Sequence, residues 1–436
     1  MSLEPFLRFA FRISSPFLDR TVIKLSSSQK IRNLLKTREE KHFRKVNGVK
    51  RTLIIAGINI GDAIMAQSFI APLKRTYPLT EISYLYQRRG YPLISANPCI
   101  DRHFPLIRSI GYPSKRDFKN LKKVINNYDF DLVFNFCPYF SSKDLQSAQG
   151  VVIHPTRLIA NVIHAYASDN SKAQILFHMN RFANECINSI SPDFQERTGD
   201  RPTFSPNVIY VTRERMKRAE KIRQRLKVNN DSKLILFNPD TSCSYTRIPL
   251  EFQIELLRGI LSADNVTLLL SCGFSFSNIE RVLINSISTS LTKKIIVIPK
   301  NTPIDVFASL IDQSDIFITG DTAPLHIAAA RRVVVGLDNY FDNSTAVVGI
   351  FGATSGKIYG YDSYSSAYLP SAQDAPSKTF ESFPECKNLT CIDKIFKRCP
   401  EVRCFEGLES EPVVDYIRNY LALDLNPYSQ DREAFF

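Results

Sequence analysis

Short apolar runs that alternate with helix-patterned segments restrict this chain more than any other feature. Thr52-Leu53-Ile54-Ile55-Ala56 is a run of the kind buried on both faces of a parallel sheet. The turn Gly57-Ile58-Asn59-Ile60-Gly61-Asp62 closes it, a helix pattern runs on to Pro78, and Glu81-Ile82-Ser83-Tyr84-Leu85-Tyr86 is the next run. Strand, turn, helix and strand make a βαβ unit. Asp131-Leu132-Val133-Phe134-Asn135-Phe136 continues this first series. A second series holds Leu234–Phe237 ending at Asn238-Pro239, Val266–Ser271 closed by Cys272-Gly273, Lys294–Ile298 and Asp315–Thr319. The alternation predicts an α/β fold of doubly wound parallel sheets.

The 436 residues exceed what one hydrophobic core fills, roughly 250–300, so two Rossmann-like domains are expected. Residues 1–50 precede the first run as a basic extension. A first domain is assigned to 51–205 and a second to 206–405, with 406–436 as a C-terminal helix and tail. The link falls near 200–210, within a polar stretch that holds Pro202 and Pro206. Residues 355–385 are rich in Ser, Tyr, Gly and Pro and read as loop.

The net charge of +13 comes in good part from residues 1–50, where Arg8, Arg12, Arg20, Lys24 and Lys30 stand among Phe6, Phe9, Phe11 and Phe17. A basic segment with aromatics suits an anionic membrane surface, at ~1 kcal/mol per nearby Lys or Arg. A solvated extension and an organellar transit peptide are the other readings. No zinc finger, homeodomain or RNP-like motif accompanies the charge, so nucleic acid is not an expected partner. No run of about 18 apolar residues is present to span a membrane. Arg8 and Arg12 break the N-terminal apolar stretch and speak against a secretory signal. The expected location is cytoplasmic, with peripheral contact at the inner face of a membrane.

The stretch from Thr302 to Ala330 carries the chemistry. Thr302-Pro303-Ile304-Asp305 has the pattern of a capped helix start. The strand Asp315–Thr319 follows, then Gly320-Asp321-Thr322-Ala323-Pro324, then the helix Leu325–Ala330. Free N–H groups at a helix start, set at the carboxyl end of a parallel strand, form an anion site. Thr322 adds a hydroxyl, and His326 lies one turn into the helix. The same residues equally fit a plain N-cap by Asp321 or Thr322, with His326 as an ordinary helix residue.

SDIFITGDTAPLHIAAA resembles the signature of the ADP-heptose transferase-like glycosyltransferases, family 9: a strand, then D-T/S-G-x-x-H-x-A-A-A. INIGDAIMAQSFIAPLKRTYP is similar to the family's first strand–turn–helix, NNYDFDLVFNF to its Y-D-L-V-I-D-L stretch, and LILFNPDTSCSYTRIPLEFQIELL to the start of its second domain. The likeness spans roughly residues 50–424. It implies a GT-B fold, two facing Rossmann-like domains with the acceptor side first and the nucleotide-sugar side second. It implies inverting transfer without a catalytic metal or other required cofactor. Asp62 matches the general base. Asp321, Thr322, Ala323 and His326 match the donor loop, and Thr241 and Ser242 match a second polar loop.

Three departures stand out. The loop glycine is Ala323, and a glycine that needs positive φ would resist that change. The lysine and tryptophan of K-x-W-P are Thr246 and Ile248, leaving Arg247 to supply a cation for the diphosphate. Arg331–Ser355 is longer than the family's strand into a glycine turn, which hides the equivalent strand.

Cys386, Cys391, Cys399 and Cys404 lie within a short C-terminal stretch. Four thiolates fit a structural zinc or iron. Packed reduced thiols, or disulfides in an oxidising compartment, fit as well. A final helix, Glu409 to Leu423, is expected to cross back to the first domain.

The reading is an inverting, metal-independent glycosyltransferase. It takes a nucleotide diphosphate sugar, ADP-heptose favoured, and a glycolipid acceptor of lipopolysaccharide type. A protein acceptor, or a degenerate member that binds without turnover, are the alternatives.

Overall fold

The computed structural model of the chain describes residues 49–57, 59–108, 113–137, 139–140, 144–153, 207–225, 232–241, 246–272, 279–336, 340–341, 345–361, 377–382 and 403–422. Residues 1–48 of the basic extension, Ser242, Cys386, Cys391 and Cys399 lie outside these residues. The chain divides into two compact units, one of Met1–Tyr210 with Val335–Asp338, the other of Val211–Val334 with Asn339–Phe436. Each is built on a parallel sheet, the α/β architecture of GT-B enzymes.

In the first unit the strands are β1 (Arg51–Ile55), β2 (Glu81–Gln87), β3 (Arg102–Ile107), β4 (Leu132–Asn135) and β5 (Val151–Ile153). They pair in the order β3-β2-β1-β4-β5, all parallel. Leu53, Ile55, Leu85 and Val133 pack with Leu121, Val124 and Ile125 of helix α3 (Lys115–Asn127), which the capping pair Ser114 and Asp117 starts. The helix after β1 is broken. It runs as α1 (Ile60–Met65), a 3-10 turn (Ala66–Phe69) and α2 (Ile70–Thr76). Pro72 has no N–H for the carbonyl four residues back, which accounts for the tightening that the sequence pattern did not show.

β6 (Val208–Val211) lies at the boundary and leads into the basic helix α4 (Arg213–Arg225). The second unit then lays down β7 (Lys233–Asn238), α5 (Leu250–Leu261), β8 (Val266–Leu270), α6 (Ile279–Asn285), β9 (Ile295–Val297), α7 (Ile304–Asp312), β10 (Ile316–Gly320) and α8 (Ala323–Ala329). β11 (Arg331–Val334) and β12 (Tyr340–Phe341) pair antiparallel as a hairpin. β13 (Ala346–Phe351) and β14 (Ser377–Glu381) complete the sheet, whose order is β14-β13-β10-β7-β8-β9. The long stretch after His326 holds this hairpin, and β13 beyond it is the parallel neighbour of β10.

Both sheets reverse direction beside their first strand, between β1 and β4 and between β7 and β10. Ligands in such folds bind outside the carboxyl ends of the strands at that point. The two units also share a device that fixes the opposite end. Asp131 accepts the Arg51 N–H at 2.8 Å, and Asp315 accepts the Leu234 N–H at 2.7 Å. In each, the carboxylate before the fourth strand in sequence ties down the first.

One expectation needs correction. Thr302 caps no helix: α7 starts at Ile304 with Pro303 at the cap position, and the Thr302 hydroxyl donates to the Pro299 carbonyl at 2.7 Å. Asp305 instead pairs with Arg215 of α4 at 3.6 Å. The last helix, α9 (Glu411–Ala422), packs on α5 of the second unit through Val413, Val414 and Ile417. Gly259 permits the approach, because a Cβ there would lie 2.6 Å from a Val414 methyl.

Candidate functional site

In the first unit the switch-point turn follows β1. Asp62 is the third residue of α1, and its Oδ2 accepts from the Asn59 N–H at 3.1 Å and from Asn59 Nδ2 at 3.2 Å. Gly57 lies under this carboxylate, and a Cβ at 57 would collide with it. The glycine is required by that approach. Oδ1 makes no hydrogen bond among the described residues. Burial raises the Asp62 pKa, and the Asn59 donors oppose the shift. The turn thus holds a half-buried carboxylate with one oxygen engaged and a raised proton affinity. Beneath it the Tyr84 hydroxyl donates to the Ala63 carbonyl at 2.6 Å and fixes α1 to β2.

In the second unit the corresponding point lies between β7 and β10. Asn238 Nδ2 donates to the Thr319 hydroxyl and to the Asp240 carbonyl, both at 3.0 Å. The Thr319 hydroxyl meets that of Thr322 at 3.2 Å. A polar chain therefore joins the end of one strand to the turn after the other. Thr246 Oγ1 donates to Thr241 Oγ1 at 2.9 Å, with both side chains buried. A Cβ on Gly320 would lie 3.4 Å from the Thr246 carbonyl, so this loop reaches the Gly320-Asp321-Thr322 turn.

Ala323 is the first residue of α8 and takes helical backbone, so the position has no need of glycine. Thr322 is the N-cap residue by position, but its side chain makes no capping bond. Ile248 in the tryptophan position is a buried core residue beneath the loop. Arg247 is half-buried, and its Nε has no hydrogen-bond partner among the described residues. Asp321 is half-buried at the turn.

His326 is buried, and its Nδ1 lies 2.7 Å from the Tyr361 hydroxyl. Burial pushes its pKa from 6.5 down to about 4, so the ring is neutral at pH 7. Such a histidine stabilises the folded state fully above pH 6.5, and the contribution is lost as pH falls through about 4. The span is worth ~3 kcal/mol. Urea unfolding at about pH 7 and about pH 4.5 is expected to show a larger acid loss for the wild type than for His326→Gln. Equal losses would mean that this ring does not titrate so low.

Sequence reasoning picked out Asp62, Thr241, Arg247, Thr322 and His326, but missed Asn238, Thr319 and Tyr361. Polar Thr319 inside an apolar run was a usable signal. Tyr361 had none. Of the cysteine cluster, only Cys404 is described, buried in the second core beside Phe405.

Residues 202–360 match the family model for glycosyltransferase family 9, the heptosyltransferases. The matched stretch lies almost wholly in the second unit. A Haemophilus influenzae protein named "Putative glycosyltransferase" is 20% identical over 290 residues, 65% of this chain and 81% of that protein. Among solved structures, the family 9 glycosyl transferase of Veillonella parvula superposes with a TM-score of 0.59 at 16% identity, covering 86% of this chain and 98% of that one. The ADP-heptose LPS heptosyltransferase II of E. coli gives 0.53 at 12% identity, covering 86% and 99%. The structures share the GT-B fold, and the match over residues 202–360 supports glycosyltransferase activity.

Proposed function

We propose that this family 9 enzyme transfers heptose or a related sugar, with inversion, from a nucleotide diphosphate sugar to a cell-envelope glycolipid of lipopolysaccharide type. ADP-heptose is the favoured donor, in keeping with the name of the E. coli structure that shares the fold. The observation that carries the reading is the turn after β10: Thr322 with no capping bond, and His326 one turn on, held by Tyr361.

Asp62 serves as the general base. Its unpartnered Oδ1 takes the proton of the acceptor hydroxyl as that oxygen attacks the anomeric carbon, and the bond from that carbon to the diphosphate oxygen breaks. A raised pKa suits this role, because a carboxylate that holds its proton more strongly is the stronger base. Charge then builds on the leaving diphosphate. His326, neutral at pH 7, offers an N–H but no charge, so Arg247 is the cation that matters, with Asp321, Thr322, Ala323, Thr241 and Ser242 shaping the loops. These residues supply a proton acceptor, hydrogen-bond donors and one cation, and no step calls for a redox cofactor. Cys386, Cys391, Cys399 and Cys404 would hold a structural zinc or iron with no part in the transfer step. Residues 1–50 would place the enzyme at the inner face of a membrane, where a lipid-linked acceptor lies.

The acceptor is tested by incubating the enzyme with labelled ADP-heptose and a cell-envelope extract. Label in the lipid fraction is the expected result. Label in the protein fraction would reassign the acceptor, and label in neither would overturn the proposed donor and acceptor together.

A further inference from the structure

The outer face of α3 carries charge of one sign. Lys115, Arg116, Lys119, Lys122 and Lys123 are all exposed, and none forms an ion pair among the described residues. The acid of the helix, Asp117, is buried. Its carboxylate accepts from the Arg108 N–H at 2.9 Å and from the N–H and hydroxyl of Ser114 at 2.8 and 2.7 Å. The other exposed positions of α3 are Asn126 and Asn127. Leu121, Val124 and Ile125 are packed in the core and fix which side of the helix looks outward.

The stability of the helix does not ask for this pattern. Lys119 has Lys115 and Lys123 four residues away, and Arg116 and Lys122 three away. Like charges at those spacings weaken a helix. Lys115 and Arg116 also stand in the first turn, where the positive end of the helix dipole disfavours cations. An anionic surface laid over the row relieves both.

The position of the row suits such a surface. α3 begins at the carboxyl edge of the sheet, where Arg108 follows β3, and the row runs back along the flank for ~12 Å. α3 packs on Leu85, whereas α1 is tied to Tyr84, whose side chain points to the other face of the sheet. Covering α3 therefore leaves the Asp62 turn open. The exposed positions hold no aromatic ring on which a nucleic acid base could stack, and no apolar side chain to enter a bilayer core. We propose that the α3 face docks the first unit on an anionic phospholipid surface through its headgroups, in addition to the contact proposed for residues 1–50. The choice of a lipid surface rests on the glycolipid acceptor proposed above.

Sedimentation of the full chain with vesicles of phosphatidylcholine or of phosphatidylglycerol tests it. Wild type is expected to bind phosphatidylglycerol only, and to leave it as salt rises from about 0.1 to about 1 M. A variant with Lys119→Gln, Lys122→Gln and Lys123→Gln should bind ~10²-fold more weakly, at roughly fivefold per charge. Gln is a good helix former, so this variant should unfold at or above the wild-type temperature. A control removes as many charges from the exposed side of α4, by Lys217→Gln, Lys221→Gln and Arg225→Gln, and should keep most of the binding. An equal loss in the control would make net charge responsible and overturn the proposal. So would a wild type that ignores phosphatidylglycerol, or an α3 variant that binds as wild type does. RNA binding that the α3 variant loses while its vesicle binding stays would assign the face to nucleic acid and overturn it as well. Label in the lipid fraction without vesicle binding would keep the acceptor reading and sink this one. Vesicle binding with label in the protein fraction would do the reverse.

Discussion

Asp62→Asn is expected to lower sugar transfer by ~10²–10⁴-fold while nucleotide affinity stays at the wild-type level. Asn fills the same space and can still accept from the Asn59 N–H, so α1 keeps its start. What it lacks is the ability to take a proton. Wild-type transfer should fall as the pH drops through the Asp62 pKa, which burial places above the ordinary 3.8. The acid limb of the rate profile should therefore lie higher than for an exposed aspartate, and should vanish from the residual rate of the variant. If the residue is only a helix cap, Asp62→Ala would cost ~1 kcal/mol of stability, and both variants would keep their transfer rate. Parallel measurement of rate, nucleotide affinity and unfolding separates the two cases.

Arg332→Met is expected to destabilise the second unit by ~3–5 kcal/mol. The guanidinium is fully buried and forks onto Asp312, with Nε to Oδ2 at 3.0 Å and Nη2 to Oδ1 at 2.6 Å. Its Nη1 also donates to the carbonyls of Ile327 at 2.8 Å and Ala330 at 2.5 Å, which end α8. One side chain thus ties the end of α7 to the end of the helix that carries His326. Removing it strands the Asp312 charge and the two carbonyls. Replacing both partners, as in Arg332→Met with Asp312→Leu, should recover part of the loss, because no charge is then left behind. Urea unfolding of the two variants checks this. A double variant no more stable than the single one would show that the carbonyl bonds, not the ion pair, carry the stabilisation.

The strands buried on both faces were legible because an apolar run between turns has few other uses. The edge strand β3 was not. Its sequence, Arg102-His103-Phe104-Pro105-Leu106-Ile107, is mixed, and a proline is tolerated there because an edge strand has an unpaired side. β13 was hidden by a hairpin whose only sequence trace was extra length. The site was legible where it is local. Gly57, Asn59 and Asp62 form one turn, and Thr322 and His326 lie within one turn of helix. It was illegible where the sheet brings distant residues together. Tyr361 meets His326 across 35 residues, and Asn238 meets Thr319 across 81.

The claim that the second unit holds the sugar nucleotide through the turn after β10 is tested most directly by thermal unfolding with ADP, UDP, GDP and CDP, for wild type and His326→Ala. A nucleotide at 100 times its dissociation constant stabilises by ~2.7 kcal/mol, a shift easily resolved. Selective stabilisation by ADP that His326→Ala abolishes is the predicted result. Stabilisation by another nucleotide would keep the site and discard heptose, and a wild type that responds to none of the four would contradict the account.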